Sequence, residues 1–198
     1  MRLFVAIELN DEVTTAAARL IDELHERCGR LAPQAHVTWV PPGRMHLTLR
    51  FIGDAGEAQT HAIVQTMNAP FDLQPFDLVL ARMGVFPEVG RPRVFWAGAA
   101  AGRESLEDLS RHVSARLADA GVPRDDRPFA AHLTLGRVRE AAGLRTMRLL
   151  DGLGNVELGR VRVTETVLFE SRQSSGGPTY LAQQRTSLGT RREGPVEP

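Results

Sequence analysis

Cysteine is nearly absent from this chain of 198 residues, neither sign of charge is in excess, and no long apolar run occurs. Each shortage excludes something. A single cysteine, Cys28, leaves no partner for an internal disulfide and no second thiolate for a metal cluster, and this usage suits a reducing cytoplasm. The 24 basic and 24 acidic residues cancel, so no global basic field exists to hold long nucleic acid through many phosphate contacts. A small or terminal anionic ligand stays compatible with that balance. No segment approaches the ~20 apolar residues that span a bilayer, and the opening MRLFVAIEL passes into polar NDE without a signal-peptide cleavage pattern. The expectation is a soluble, unexported protein.

What is present is a hydrophobic fraction of 42%, enough to bury a core as one domain or as two small lobes sharing an interface. Leu3 to Leu9 is an almost continuous apolar run that predicts a buried strand. Asn10 and Asp11 then offer cap side chains. Val13, Ala16, Ala17, Leu20, Leu24 and Cys28 recur at helical spacing and stop at Gly29. Cys28 lies on that stripe, as a small buried hydrophobe. HVTWV and MHLTLRFI read as strands separated by the turn signal Pro41-Pro42-Gly43. Further helices are predicted over Glu57 to Asn68 and Ser105 to Ala120. Strands are predicted for FDLVLARMGVF, PRVFWAG, FAAHLTLGRV, the whole of VELGRVRVTETVLFES, and TYLAQQRTSL. The fold class expected is α+β. Two similar lobes of antiparallel sheet would face a central cleft, with helices outside, as one bilobal domain over residues 1–190 and a loose tail over 191–198.

The tetrapeptide His-Leu-Thr-Leu occurs twice, at His46 and at His132, 86 positions apart (132 − 46). Because strand side chains alternate, His46 and Thr48 share one face, and Leu47, Leu49 and Phe51 share the other. His132 and Thr134 are likewise opposed to Leu133 and Leu135. Each lobe would bury its leucines in its own core, Phe51 among them, and present an imidazole beside a hydroxyl. Two lobes facing across a cleft would bring these groups together in a two-fold pattern.

Such a pattern suits displacement at phosphorus, which is in line and wants an acid and a base on opposite walls. Two imidazoles, titrating near pH 6.5 when unperturbed, supply both roles, and the threonine hydroxyls can donate to non-bridging oxygens. His36-Val-Thr38 has the same spacing, so pattern alone gives three candidates. A zinc site would need a third ligand, and the residues that follow on each face or strand, Arg50 and Gly136, are not ligands. His25, His61 and His112 fall on predicted helices, as solvated surface.

The residues RLFVAIEL, WV followed by HLTLRFIG, GVFP, PRVFWAG, RPFAAHLTLGR, VLFES and GGPTY together resemble the 2H phosphoesterase superfamily. Within it, the chain resembles the bacterial and archaeal RNA 2′,3′-cyclic phosphodiesterases, also described as 2′-5′ RNA ligases. The resemblance covers nearly the whole chain. It implies a bilobal fold, His46 as proton donor, His132 as proton acceptor, and Thr48, Thr134 and Arg137 as substrate contacts, with no metal or cofactor. It also implies that His36 lies on a strand before the first motif and takes no part. Ala131 stands where the family commonly has proline.

Strict alternation points Arg137 away from His132 and puts Arg50 on the face of His46, so alternation favours Arg50 as the phosphate contact where the resemblance favours Arg137. A bulge at Gly136 would turn Arg137 inward. The implied reaction is metal-independent hydrolysis of an RNA or nucleoside 2′,3′-cyclic phosphate to the 2′-phosphomonoester by a cytoplasmic monomer. Ligation by a 5′-hydroxyl, or nucleotide binding without turnover, are the alternatives.

Overall fold

A computed structural model of the chain describes residues 1–125, 128–154 and 156–189. The expected tail over 191–198 lies outside the described residues. The elements in chain order are β1 (Arg2–Glu8), α1 (Asp11–Leu31), β2 (His36–Trp39), a 3-10 turn (Pro42–Arg44), β3 (His46–Asp54), α2 (Glu57–Thr66) and β4 (Phe76–Phe86). They continue with β5 (Val94–Ala101), α3 (Arg103–Asp119), β6 (His132–Glu140), α4 (Thr146–Leu149), β7 (Glu157–Val163), β8 (Glu165–Ser174) and β9 (Gly177–Ser187).

The strands form two antiparallel sheets, a four-stranded one in the order β3-β1-β8-β9 and a five-stranded one in the order β2-β6-β5-β4-β7. Laid side by side, β3 corresponds to β6, β1 to β5, β8 to β4 and β9 to β7, with β2 as an extra edge strand. The two HLTL segments therefore open equivalent strands of equivalent sheets, as the repeat predicts. β1 is buried on both faces, with Leu3, Val5 and Ile7 in one apolar cluster and Phe4 and Ala6 in another. That is why it reads as a continuous apolar run rather than an alternating one.

Local signals account for the helices. The Asn10 side chain accepts the Val13 backbone N–H at 3.0 Å, and Asp11 and Glu12 occupy the positive first turn of α1. The buried stripe is Val13, Ala17, Leu20, Ile21, Leu24 and Cys28, and the helix runs on through Gly29 to Leu31. Burial raises the Cys28 thiol pKa, which keeps the group uncharged. The helices also cross between the halves. α1 follows β1 of the first sheet but packs on β7 of the second, and α3 follows β5 of the second but packs on β3 of the first.

Two expectations about the layout are corrected. Residues 156–171 do not make one strand: the chain turns at Thr164, and β7 and β8 belong to different sheets. Both halves are rich in β-branched residues and no Gly, Pro or Asn marks the junction, so nothing local announces the turn. The leucines do not form a separate core in each lobe either. Leu47, Leu49, Leu133 and Leu135 all join one cluster, because the crossed helices close the space between the sheets. The small second cluster of Phe4, Ala6, Val167 and Phe169, with Tyr180 against it, lies on the other face of the first sheet.

A matched irregularity interrupts both motif strands. Along β1–β3, Ala6 pairs with Thr48 and Val5 with Arg50, so Leu49 has no partner. Along β5–β6, Trp96 pairs with Thr134 and Phe95 with Gly136, so Leu135 has none. Each is a β-bulge three residues after the histidine, and beyond each the alternation reverses. Phe51, expected in the core, is 57% exposed, while Arg50, which alternation would expose, is only 8% exposed. Gly136 is required at the second bulge, since a Cβ there would stand 2.6 Å from Cε3 of Trp39, whose ring stacks on Phe95.

Gly136→Ala should therefore force the Trp39 ring off Phe95 and destabilise the protein by about 1–3 kcal/mol, the range for overpacking. Urea unfolding checks this. The expected result is a lower midpoint at an unchanged slope, and an unchanged midpoint would show that the ring gives way freely.

Candidate active site

The two sheets enclose a cleft of about 790 Å³ whose walls carry His46, Thr48, His132, Thr134 and Arg137 together. All five residues singled out from the sequence thus converge on one cavity. His36 does not, being exposed on β2 opposite Glu140 and absent from the cleft walls. His25, His61 and His112 are exposed on helices, as expected.

Both imidazoles are held the same way. Nδ1 of His46 lies 2.9 Å from the carbonyl oxygen of Arg44, and Nδ1 of His132 lies 2.7 Å from that of Ala130. A carbonyl only accepts, so each Nδ1 must carry the proton that donates to it. Nε2 is then the ring nitrogen left for chemistry on each wall, a lone pair when the ring is neutral and an N–H when it is charged. The carbonyl in each case belongs to the residue two positions before the histidine, and the two sides are equivalent in this respect as well.

The scaffolds behind those carbonyls differ. The Arg44 guanidinium donates to the Gly176 carbonyl at 2.7 Å, tying the 3-10 turn to the β8–β9 hairpin. Gly177 beside it has φ +96, and a Cβ there would stand 2.6 Å from Arg44 Nη1, so glycine suits both the backbone and the space. On the other wall, Arg50 donates to the Pro123 carbonyl and pairs with Asp125 at 3.0 Å, anchoring the segment that leads into β6. Arg50 therefore belongs to a structural ion pair and does not line this cleft. The bulge explains why alternation pointed to it wrongly.

Around His46 sits an aromatic enclosure. The Phe4 ring centroid is 4.8 Å away, and the Tyr180 ring lies edge-on at 5.0 Å with an interplanar angle of 87°. His132 meets the Phe86 ring edge-on at 5.3 Å. Burial in these apolar surroundings pushes the pKa of each imidazole below 6.5. The backbone hydrogen bonds oppose that shift, and the nearby Arg137 charge adds to it.

Sequence reasoning missed several cleft residues. Tyr180 and Phe51 line the cavity, as do Arg2, Arg44 and Arg139. Phe51 was hidden by the bulge on the first motif strand, Arg139 follows Arg137 beyond the bulge on the second, Arg44 sits on the turn just before His46, and Arg2 and Tyr180 lie on strands distant in sequence from the motifs they face. Among the described residues, no group of three or more His, Cys, Asp or Glu side chains comes together as a metal site.

Comparison with known proteins agrees with this geometry. The family model described as LigT like Phosphoesterase matches residues 11–96 and 98–180, each stretch containing one HLTL segment. The RNA 2′,3′-cyclic phosphodiesterase of Aquifex aeolicus is 33% identical over 153 residues, covering 76% of this chain and 81% of that protein. The protein of the same name from Methanothermobacter thermautotrophicus is 31% identical over 182 residues, covering 91% of this chain and 95% of its own. Among solved structures, TT0787 of Thermus thermophilus superposes with a TM-score of 0.75 at 29% identity, over 96% of this chain and 100% of that one. With two equivalent His-x-Thr strands facing across one cleft and a family match through both halves, the chain belongs to the LigT-like phosphoesterases, a 2H phosphoesterase family.

Proposed function

We propose that this protein is an RNA 2′,3′-cyclic phosphodiesterase that opens the cyclic phosphate of an RNA end or nucleoside to the 2′-phosphomonoester. The observation that carries this is the pair of imidazoles, each fixed through Nδ1 to a backbone carbonyl so that Nε2 remains for the cleft between them. Neutral His132 takes a proton from water through Nε2 as the water oxygen bonds to phosphorus. The bond from phosphorus to O3′ breaks on the opposite side, and His46, protonated at Nε2, gives its proton to that oxygen. Water is consumed, and the products are a 2′-phosphate and a free 3′-hydroxyl. The assignment of donor to His46 and acceptor to His132 follows the family resemblance, since the two tethers are alike.

The remaining groups act on charge. Thr48 and Thr134 share a face with the histidines and donate hydroxyl hydrogens to the non-bridging oxygens. Arg137, turned into the cleft after the second bulge, offers a guanidinium fork to the same phosphate. Its charge disfavours protonated imidazole in the empty cleft, and a bound phosphate anion offsets that effect. Both proton transfers are served by imidazole, and the reaction as written uses no metal.

Both walls come from one chain, which fits a monomer, and the reading of residues 1–190 as a single domain is supported by one core that, among the described residues, joins both sheets. None of the described helices is long and apolar enough to cross a membrane, and the one cysteine is buried as a free thiol, which fits a cytoplasmic setting.

Replacing His46 or His132 by alanine should each lower kcat by about two to four orders of magnitude, the usual contribution of a positioned acid or base. His36→Ala should stay within a few-fold of wild type, because its side chain lies outside the cleft. The assay is hydrolysis of nucleoside 2′,3′-cyclic phosphates, with NMR identifying the phosphorylated position. A folded His36→Ala protein as inactive as His46→Ala would mean that the catalytic pair is misassigned. The rates should persist in excess EDTA.

The pH dependence follows from the lowered imidazole pKa values. One ring must be charged and the other neutral, so kcat/KM should be bell-shaped, and with both values below 6.5 its maximum should lie on the acid side of pH 6.5. Removing a neighbouring cation favours the charged imidazole, so Arg137→Gln should move the bell to higher pH while raising KM. A profile flat from pH 5 to pH 9 would count against paired histidines.

A further inference from the structure

The charge balance of the chain conceals a local asymmetry. Acidic and basic residues are equal in number overall, yet among the described residues the walls of the cleft carry Arg2, Arg44, Arg137 and Arg139 and no aspartate or glutamate. Among the described residues, none of these four arginines forms an ion pair. A cyclic phosphate bears one negative charge, which Arg137 meets. Three cations, Arg2, Arg44 and Arg139, therefore face the cleft without an anion among the described residues, and of these Arg44 is held on the Gly176 carbonyl.

Beyond the bulge at Leu135, Arg137 and Arg139 are two residues apart on β6 and both line the cleft, about 7 Å apart at the usual strand rise. That separation is close to the distance between successive phosphates along one RNA strand. Against β2 the register shifts at Arg139, since Val37 pairs with Val138 and His36 with Glu140. Arg139 is also held in position. Its Nε donates to Thr38 Oγ1 at 3.3 Å, across the pairing of β2 with β6. Thr38 belongs to the third His-x-Thr match, for which the reaction has no use. On the opposite wall, Arg2 shares a face of β1 with Phe4, whose ring lies against His46.

We propose that Arg139, positioned by Thr38 and assisted by Arg2, forms a second phosphate site that holds the phosphodiester next to the cyclic phosphate. The site makes an RNA end of two or more nucleotides a better substrate than a mononucleotide. This rests on the phosphodiesterase reading above. A guanidinium fork matches a phosphodiester's two non-bridging oxygens, and an anion held there costs no displaced carboxylate. Thr38 is a positioning residue, since it acts through Arg139.

The test compares kcat/KM for a nucleoside 2′,3′-cyclic phosphate with that for a dinucleotide ending in the same group. Wild type should prefer the dinucleotide by about ten-fold or more, and the preference should weaken as salt rises. Arg139→Gln should lower the dinucleotide-to-mononucleotide ratio by about ten-fold, within the range for a charge-assisted hydrogen bond. Arg139→Lys should retain part of the ratio. Thr38→Val should lower it, and Thr38→Ser should restore it. A wild-type enzyme that does not distinguish the two substrates, or a ratio unchanged in Arg139→Gln, would overturn the site.

A second measurement needs no turnover. Fluorescence anisotropy with a labelled trinucleotide ending in a 3′-phosphate should show weaker binding by Arg139→Gln and a salt slope smaller by about one. Equal affinity and equal slope would also overturn the site. If no cyclic phosphate is hydrolysed at all, the proposed activity fails, while the anisotropy still decides on the second phosphate site.

Discussion

One extra residue three positions after each motif histidine determines what the cleft contains. Without the bulges at Leu49 and Leu135, strict alternation would place Arg50 beside His46, bury Phe51 and turn Arg137 out of the cleft. With them, Arg50 is buried where it ties down the segment leading to His132, Phe51 and Arg137 enter the cleft, and Arg139 follows two residues on. The leucines before each bulge stay in the common core, where truncation of a buried leucine costs about 2–5 kcal/mol. The histidines are thus carried on the most firmly packed stretch of each strand. Two of the four cleft arginines, Arg137 and Arg139, come from the stretch after the irregularity.

The electrostatics depend on the same frame. An imidazole buried among aromatic rings is pushed toward neutrality, and the Arg137 charge pushes it further. The carbonyl acceptors at Arg44 and Ala130 oppose this by fixing the Nδ1 proton. An empty cleft consequently holds two largely neutral rings above the lowered pKa values. In the proposed reaction an incoming phosphate anion would favour the charged form that one of them needs. In that reaction, binding of the anion and readiness of the acid are coupled through Arg137, and the cleft walls carry no acidic side chain among the described residues to weaken that coupling.

Much of this was legible in the chain. The apolar run of β1, the Asn10 cap and stripe of α1, and the strand character of both HLTL segments follow from local side-chain chemistry, and the structure agrees with each. The join at Thr164 was not legible, since β-branched residues on both sides suit one long strand as well as two short ones. Nor was the single core. It arises because α1 and α3 each pack on the half opposite to the one they leave, a long-range choice that no local periodicity encodes.

The sequence by itself determined that two equivalent strands would each present a histidine and a threonine, because alternation over three residues is a property of the strand alone. It also settled that no internal disulfide or excess of basic charge would be involved. Only the tertiary structure decided which residues beyond the threonines reach the cleft. A bulge is a mismatch between two paired strands, visible in the register of β3 on β1 and of β6 on β5 and in neither strand alone. The same holds for Tyr180 and Arg2, which reach the cleft beside the motif strands only because β9, β8 and β1 lie beside one another in one sheet.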